Sequence, residues 1–233
     1  MNLSRLIVGL GFAVGALAMA TAQSFNIDLD SPGPPELGGG APSSAFGGAA
    51  SQPGFWNAVY AGGPTTPVQL HGLDGLPTGV QLQATGGTGS YGGFNNPNLS
   101  GDFRLLMADG ANVGTPIQYH FSGLQTGHYL LYTYSANASG QAVNLLVSVP
   151  GSSTPPQTVT GPMPPNQFII GVDYCVHDLP FTGTSVEIDV SGSGPPNPEV
   201  HGFQIVAVPE PATVFAFASG LFALLGRARA PSQ

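Results

Sequence analysis

Asp173, Cys175 and His177 stand at alternate positions of one predicted strand and offer a carboxylate, a thiol and an imidazole to the same face. These groups are ligands for zinc or copper. Side chains that share a strand face are ~6.6 Å apart per step, too far for three to converge unaided, so no metal is assigned to them. Cys175 is the only cysteine, cannot form an internal disulfide, and is expected as a small buried residue. Asp28 and Asp30 also alternate, and with loop carbonyls they suit a structural calcium ion. Trp56, Tyr60, Tyr91 and Phe94 lie in or beside Gly-rich segments, where aromatics either stack on sugar rings or plug the ends of a sandwich.

Enzyme signatures are missing. Gly87-Thr88-Gly89-Ser90-Tyr91-Gly92 matches G-x-G-x-x-G, but Gly93-Phe94-Asn95-Asn96-Pro97 cannot open the helix that would hold a pyrophosphate. A glycine-rich loop explains the match. G-x-S-x-G and H-E-x-x-H do not occur. A glycosidase needs two carboxylates across a cleft, and the sequence does not pair Asp102, Asp109, Asp173, Glu187 and Asp189. No catalytic residue is assigned, and the chain is expected to be non-enzymatic.

The elements that position these residues follow from composition and periodicity. The 233 residues carry a formal net charge of −8, with only 7% charged residues against roughly 25% in ordinary soluble domains. Between positions 23 and 207, 11 acids stand against Arg104 alone. Such a surface cannot neutralise a phosphate backbone, so nucleic acid is excluded as a partner. Gly (35) and Pro (23) are abundant, yet 42% of residues are hydrophobic, which predicts short strands joined by Gly/Pro turns around a buried core.

Period-two alternation supports this. It runs through Phe25, Ile27 and Leu29; through Val80, Leu82 and Ala84; through Ile117, Tyr119 and Phe121; through Val186, Ile188 and Val190; and less cleanly through Phe203, Ile205 and Ala207. More continuous apolar runs, 129–134, 143–149 and 168–176, predict central strands covered on both sides. Gly127 predicts a hairpin joining apolar strands within 121–134. Segments 31–54, 86–100, 150–166 and 191–199 are expected as surface loops, and no helical periodicity is found between 23 and 207. The predicted fold is all-β, an antiparallel β-sandwich of jelly-roll-like form. The 121–134 segment loosely resembles a strand pair of secreted β-sandwich and jelly-roll modules, including carbohydrate-binding ones, and supports the fold rather than a ligand.

The two ends have other duties. Residues 1–22 show a short polar start with Arg5, an apolar run from Leu6 to Met19, and Ala20-Thr21-Ala22, the layout of a signal peptide cut after Ala22. At the other end Val208-Pro209-Glu210-Pro211 precedes an uncharged stretch from Ala212 to Gly226, followed by Arg227 and Arg229. As a helix that stretch would reach ~22 Å, a marginal span of a ~30 Å hydrocarbon core. Arg227 and Arg229 would keep the C-terminus cytoplasmic and so set the orientation.

This order of Pro-Glu-Pro, short apolar helix and arginine cluster closely resembles the PEP-CTERM sorting signal over residues 208–233. The resemblance implies a Gram-negative, exopolysaccharide-producing host and an exosortase-type processing enzyme that recognises Pro209, Glu210 and Pro211. Two prolines also forbid helix just outside the membrane, which presents an extended acidic target. The expected organisation is a signal peptide (1–22) with its helix, an extracellular β-sandwich (23–207), and a sorting signal with a short transmembrane helix (208–233). The expected product is an exported protein of the cell surface or extracellular matrix, transiently membrane-anchored and associated with exopolysaccharide. The second reading is a carbohydrate-binding module or glycan-active hydrolase on the same sandwich.

Overall fold

The computed structural model describes residues 23–61, 64–87, 90–91, 93, 95–137, 141–192 and 197–209. The predicted signal-peptide helix, the apolar C-terminal helix, Glu210, Pro211, Arg227 and Arg229 lie outside the described residues. Among the described residues, no helix is long and apolar enough to cross a membrane.

Alternating residues build two stacked sheets. The larger has the order β11 (Tyr174–Phe181), β8 (Gly127–Ala136), β13 (Glu199–Val208), β1 (Phe25–Asp30), β2 (Trp56–Tyr60). Beside β13 lies β6 (Gly110–Asn112), which also pairs with β5 (Ser90–Tyr91). The smaller has the order β10 (Gln157–Val159), β9 (Leu145–Ser148), β12 (Ser185–Gly192), β7 (Ile117–Ser122), β4 (Pro77–Gly86), β3 (Val68–His71). The all-β sandwich predicted from periodicity is therefore observed. Among the described strand pairings only β1 with β2 is parallel; the long segment 31–55 makes that crossover feasible, since parallel neighbours need a dozen or more connecting residues.

The inward faces meet in one core. Phe25, Ile27 and Leu29 of β1 and Phe203 and Ile205 of β13 oppose Val80 and Leu82 of β4, Tyr119 and Phe121 of β7 and Ile188 of β12. Phe203 anchors the sheets together, edge-on to Tyr119 at 4.8 Å and to Phe121 at 5.8 Å between ring centroids.

Three local expectations are corrected. The predicted hairpin around Gly127 is a crossover between sheets: β7 already has β4 and β12 on its two sides, so β8 joins the other sheet. The run 168–176 does not form one strand, because β11 begins only at Tyr174 and the preceding residues turn. A helix, α1 (Gly101–Met107), interrupts the expected all-strand pattern and buries Phe103, Leu106 and Met107.

The segments expected as loops also hold structure. Residues 157–159 of one form β10, and the segment 31–54 includes a 3-10 turn at Pro35–Leu37. That segment and α1 lie on the outward face of the larger sheet and make a second apolar cluster of Trp56, Leu99, Phe103, Leu106, Met107, Tyr134 and Met163, with Phe46, Ala49 and Phe168 against it. A polar network nails the segment down. Gln204 Nε2 donates to Asn26 Oδ1 (2.7 Å) and Gly47 O (3.0 Å), while Gln204 Oε1 accepts from Ala50 N–H (3.1 Å) and from the Tyr134 hydroxyl. Gln52 Nε2 donates to Asn26 Oδ1 (3.0 Å), and the Ala49 N–H donates to Tyr134 Oη (2.7 Å). Buried amides are tolerable only when paired this fully.

Candidate functional site

The accessible aromatic surface sits at the edge strand β2. Asn57 ties this edge to the smaller sheet: its Nδ2 donates to His71 O (2.9 Å) and to Asn26 O (3.0 Å), and its Oδ1 accepts from His71 N–H (2.7 Å). Val59 then faces the main core and Trp56 the second apolar cluster, while Tyr60, on the Trp56 side of the strand, is 55% exposed. Phe55, just before the strand, is 40% exposed and packs on His71 with ring centroids 5.4 Å apart; Leu76 is exposed nearby on the β3–β4 turn. Along the strand, positions 55 and 60 are separated by ~16 Å.

Of the four aromatics expected either to stack on sugars or to plug the sandwich, Trp56 takes the second role. It is 3% exposed, donates Nε1–H to Phe46 O (3.0 Å), and tilts against the Phe46 ring at 5.8 Å. It plugs the second core. Tyr60 is accessible, the Tyr91 side chain and Phe94 lie outside the described residues, and Phe55 was missed although it adjoins Trp56.

Asp173, Cys175 and His177, to which the sequence assigns no metal, take separate structural places. Asp173 precedes the strand and accepts the Ile169 N–H (2.7 Å), closing the turn. Burial pushes its carboxyl up to about 6. Cys175 and His177 do share the inward face of β11, among core side chains. Burial raises the Cys175 thiol to about 12 and lowers the His177 imidazole, so neither is prepared as a nucleophile or base.

The Asp28 and Asp30 pair draws in a third carboxylate. Asp28 is fully buried on the outward face of β1, and Asp109, just after α1, lies close enough to raise its proton affinity. Asp109 Oδ2 accepts the Ser31 N–H (2.7 Å), and Asp30 Oδ1 accepts the Gly40 N–H (2.9 Å). Burial is the main cause that drives both Asp28 and Asp109 well above the usual carboxylate range. Asp109 was missed because nothing in its own neighbourhood pairs it with β1. Among the described residues, no three His, Cys, Asp or Glu side chains are set to hold a metal ion by themselves.

A further cluster resembles hydrolytic machinery only in composition. His128 Nε2 contacts Asp178 Oδ1, and the Ser153 hydroxyl donates to Asp178 Oδ2 (2.9 Å), beside an open pocket of about 390 Å³ that Pro180 and Phe181 also line. The His128 and Ser153 bonds hold Asp178 below the usual carboxylate range. Nucleophile activation needs the imidazole between hydroxyl and carboxylate. Here the carboxylate stands between the other two.

Glu187 and Asp189 do not face each other across a cleft. They lie on the open face of the smaller sheet, where Glu187 pairs with His120 (3.6 Å) and Asp189 accepts from Gln118 Nε2 (2.9 Å). Asp102 accepts the Ser43 N–H (2.8 Å) and hydroxyl (2.7 Å), which fastens segment 31–54 to α1. The G-x-G-x-x-G run follows β4 and contains β5, and the first described helix after it starts only at Gly101. Pro209 is exposed just past β13, whereas the rest of the sorting motif lies outside the described residues.

No family model and no curated protein matches the chain. Among solved structures, a CBM35 from Cellvibrio japonicus Abf62 is 18% identical, covering 64% of this chain and 88% of that one with a TM-score of 0.29. A Xyl-CBM35 in complex with a glucuronic acid-containing disaccharide is 16% identical, covering 63% and 86% with a TM-score of 0.28. A family GH115 4-O-methyl-alpha-glucuronidase, BtGH115A, with specificity for decorated arabinogalactans, is 13% identical with a TM-score of 0.29, and covers 42% of this chain and 14% of its own length. Likeness at this level assigns no activity.

Proposed function

We propose that this is an exported, non-catalytic protein of the cell surface or extracellular matrix that adheres to polysaccharide through the β2 edge. The observation that carries the reading is the pair of accessible rings, Phe55 and Tyr60, at the two ends of an edge strand that Asn57 fastens to the smaller sheet. Aromatic faces bind the apolar faces of sugar rings. Charge narrows the class of polysaccharide. Arg104 is the single Lys or Arg between 23 and 207, and its Nη2 donates to Leu99 O and Asn96 O. With 11 acids and no other such cation there, the domain favours a neutral glycan over an anionic one.

Delivery follows from the termini. Export through residues 1–22, transient anchoring by Ala212 to Gly226, orientation by Arg227 and Arg229, and recognition of Pro209, Glu210 and Pro211 by an exosortase-type enzyme make one consistent route.

Affinity electrophoresis in gels containing neutral or acidic polysaccharides tests the binding half. The chain is expected to be retarded by a neutral one, and a Phe55→Ala, Tyr60→Ala double variant is expected to migrate freely. Equal retardation of both proteins overturns the reading. Replacing Pro209, Glu210 and Pro211 by Ala tests the sorting half, with a full-length anchored form expected. Normal tail removal would contradict it.

A further inference from the structure

β1 carries Asn26, Asp28 and Asp30 outward, into the interface with segment 31–54. Asn26 is satisfied by Gln52 and Gln204. Asp28 is different. It is completely buried, and neither carboxylate oxygen has a hydrogen-bond partner. Asp109, also fully buried, uses Oδ2 on the Ser31 N–H and leaves Oδ1 buried without a partner. Asp30 adds a third negative charge alongside.

Nothing basic balances them. The chain has no Lys, Arg104 is engaged elsewhere, and the nearby His201 directs Nδ1 at the backbone carbonyl of Asp109. Isolated buried carboxylates are very costly and persist only when protonated or when they coordinate a cation. The loop is built tightly around these groups: a Cβ on Gly38 would stand 3.1 Å from Asp109 Cγ and 3.0 Å from Ala108 C. Ser31 and Gly40 N–H groups reach the carboxylates from the same loop.

We propose that Asp28 and Asp109 ligate a hard divalent cation of the calcium class, with Asp30 reinforcing the negative field and backbone carbonyls and water completing the shell. The donor set is oxygen only, which suits calcium and disfavours softer metals. The ion would tie β1 to residues 31–40 and to the chain after α1, and so lock the cover of the larger sheet.

The test uses the full chain stripped with EGTA and titrated with calcium. Calorimetry is expected to show one equivalent bound, and Tm is expected to rise by roughly 5–10 °C at calcium about a hundredfold above its dissociation constant. Asp28→Asn, nearly isosteric and uncharged, should abolish binding and the Tm response while matching or exceeding wild-type stability without calcium. Asp109→Asn serves as the second variant should the first not fold. Calcium without effect on wild-type Tm and without saturable binding overturns the proposal, since protons then neutralise the cluster. Equal binding by wild type and either folded variant overturns it too, as surface acids would be responsible.

Discussion

The two outward faces of the sandwich obey opposite rules. On the smaller sheet Gln118, His120, Glu187 and Asp189 face solvent and pair loosely with one another. On the larger sheet the corresponding face is sealed by segment 31–54, α1 and Phe168, over a second apolar cluster and a set of buried amides and carboxylates. The lesson concerns where ligands can act. The covered part of the larger sheet buries its carboxylates away from any polymer, whereas the open sheet, the β2 edge and the pocket beside Asp178 are accessible.

Substitutions sharpen that contrast, and the largest effects belong to the sealed face. Leu106→Ala and Trp56→Ala are each expected to lose ~2–5 kcal/mol in urea unfolding, as core truncations do, while Gln83→Ala on the smaller sheet stays within ~0.5 kcal/mol. Similar small losses at all three positions would reduce the second cluster to a surface dressing. Gly202→Ala should cost ~1–3 kcal/mol, because its Cβ would stand 2.3 Å from Ile27 O and 3.1 Å from Leu106 Cδ1.

The period-two segments were legible because each has one face in the core; those of β4, β7 and β12 show a simple buried/exposed alternation. Strand β8 buries residues on both faces and offered only an apolar run. Segment 31–54 was misjudged for a physical reason. Gly and Pro mark irregular backbone, but irregular backbone can still pack when Tyr134 and Gln204 accept its amide hydrogens and its own Gln52 side chain donates to the Phe25 carbonyl of β1. Helix α1 had legible signals, with Ser100 before it and Phe103, Leu106 and Met107 at helical spacing, yet its seven residues are too short for periodicity to stand out. Of the acidic site, Asp28 and Asp30 were visible by alternation. Asp109 reaches them only through the tertiary fold.

A smaller effect depends on pH. Asp173 has its folded pKa raised to about 6, chiefly by burial, against an ordinary carboxylate value near 3.9. Folding therefore favours its protonated form: the stabilisation is full below pH ~4 and is lost as pH rises through about 6. Unfolding of wild type compared with Asp173→Asn across pH 4–7 should show this difference, on the order of 1–2 kcal/mol. A difference that is flat with pH would refute the assignment. The smallest change is expected for Glu187→Gln on the open face, within ~0.5 kcal/mol, because its partner His120 is exposed and 3.6 Å away.

Both proposals require that the Gly- and Pro-rich segment before β2 belongs to the folded core, since it closes over Asp28 and sets the position of Phe55. Hydrogen exchange on the full chain measures this directly. The amides of Ala49, Ala50, Gln52 and Gly54 donate to Tyr134 Oη, Gln204 Oε1, Gly47 O and Ser44 O respectively. Their peptides are expected to exchange as slowly as those of β1 and β13. Exchange of residues 43–54 at the rate of an unstructured peptide, with β1 and β13 still protected, would contradict the account.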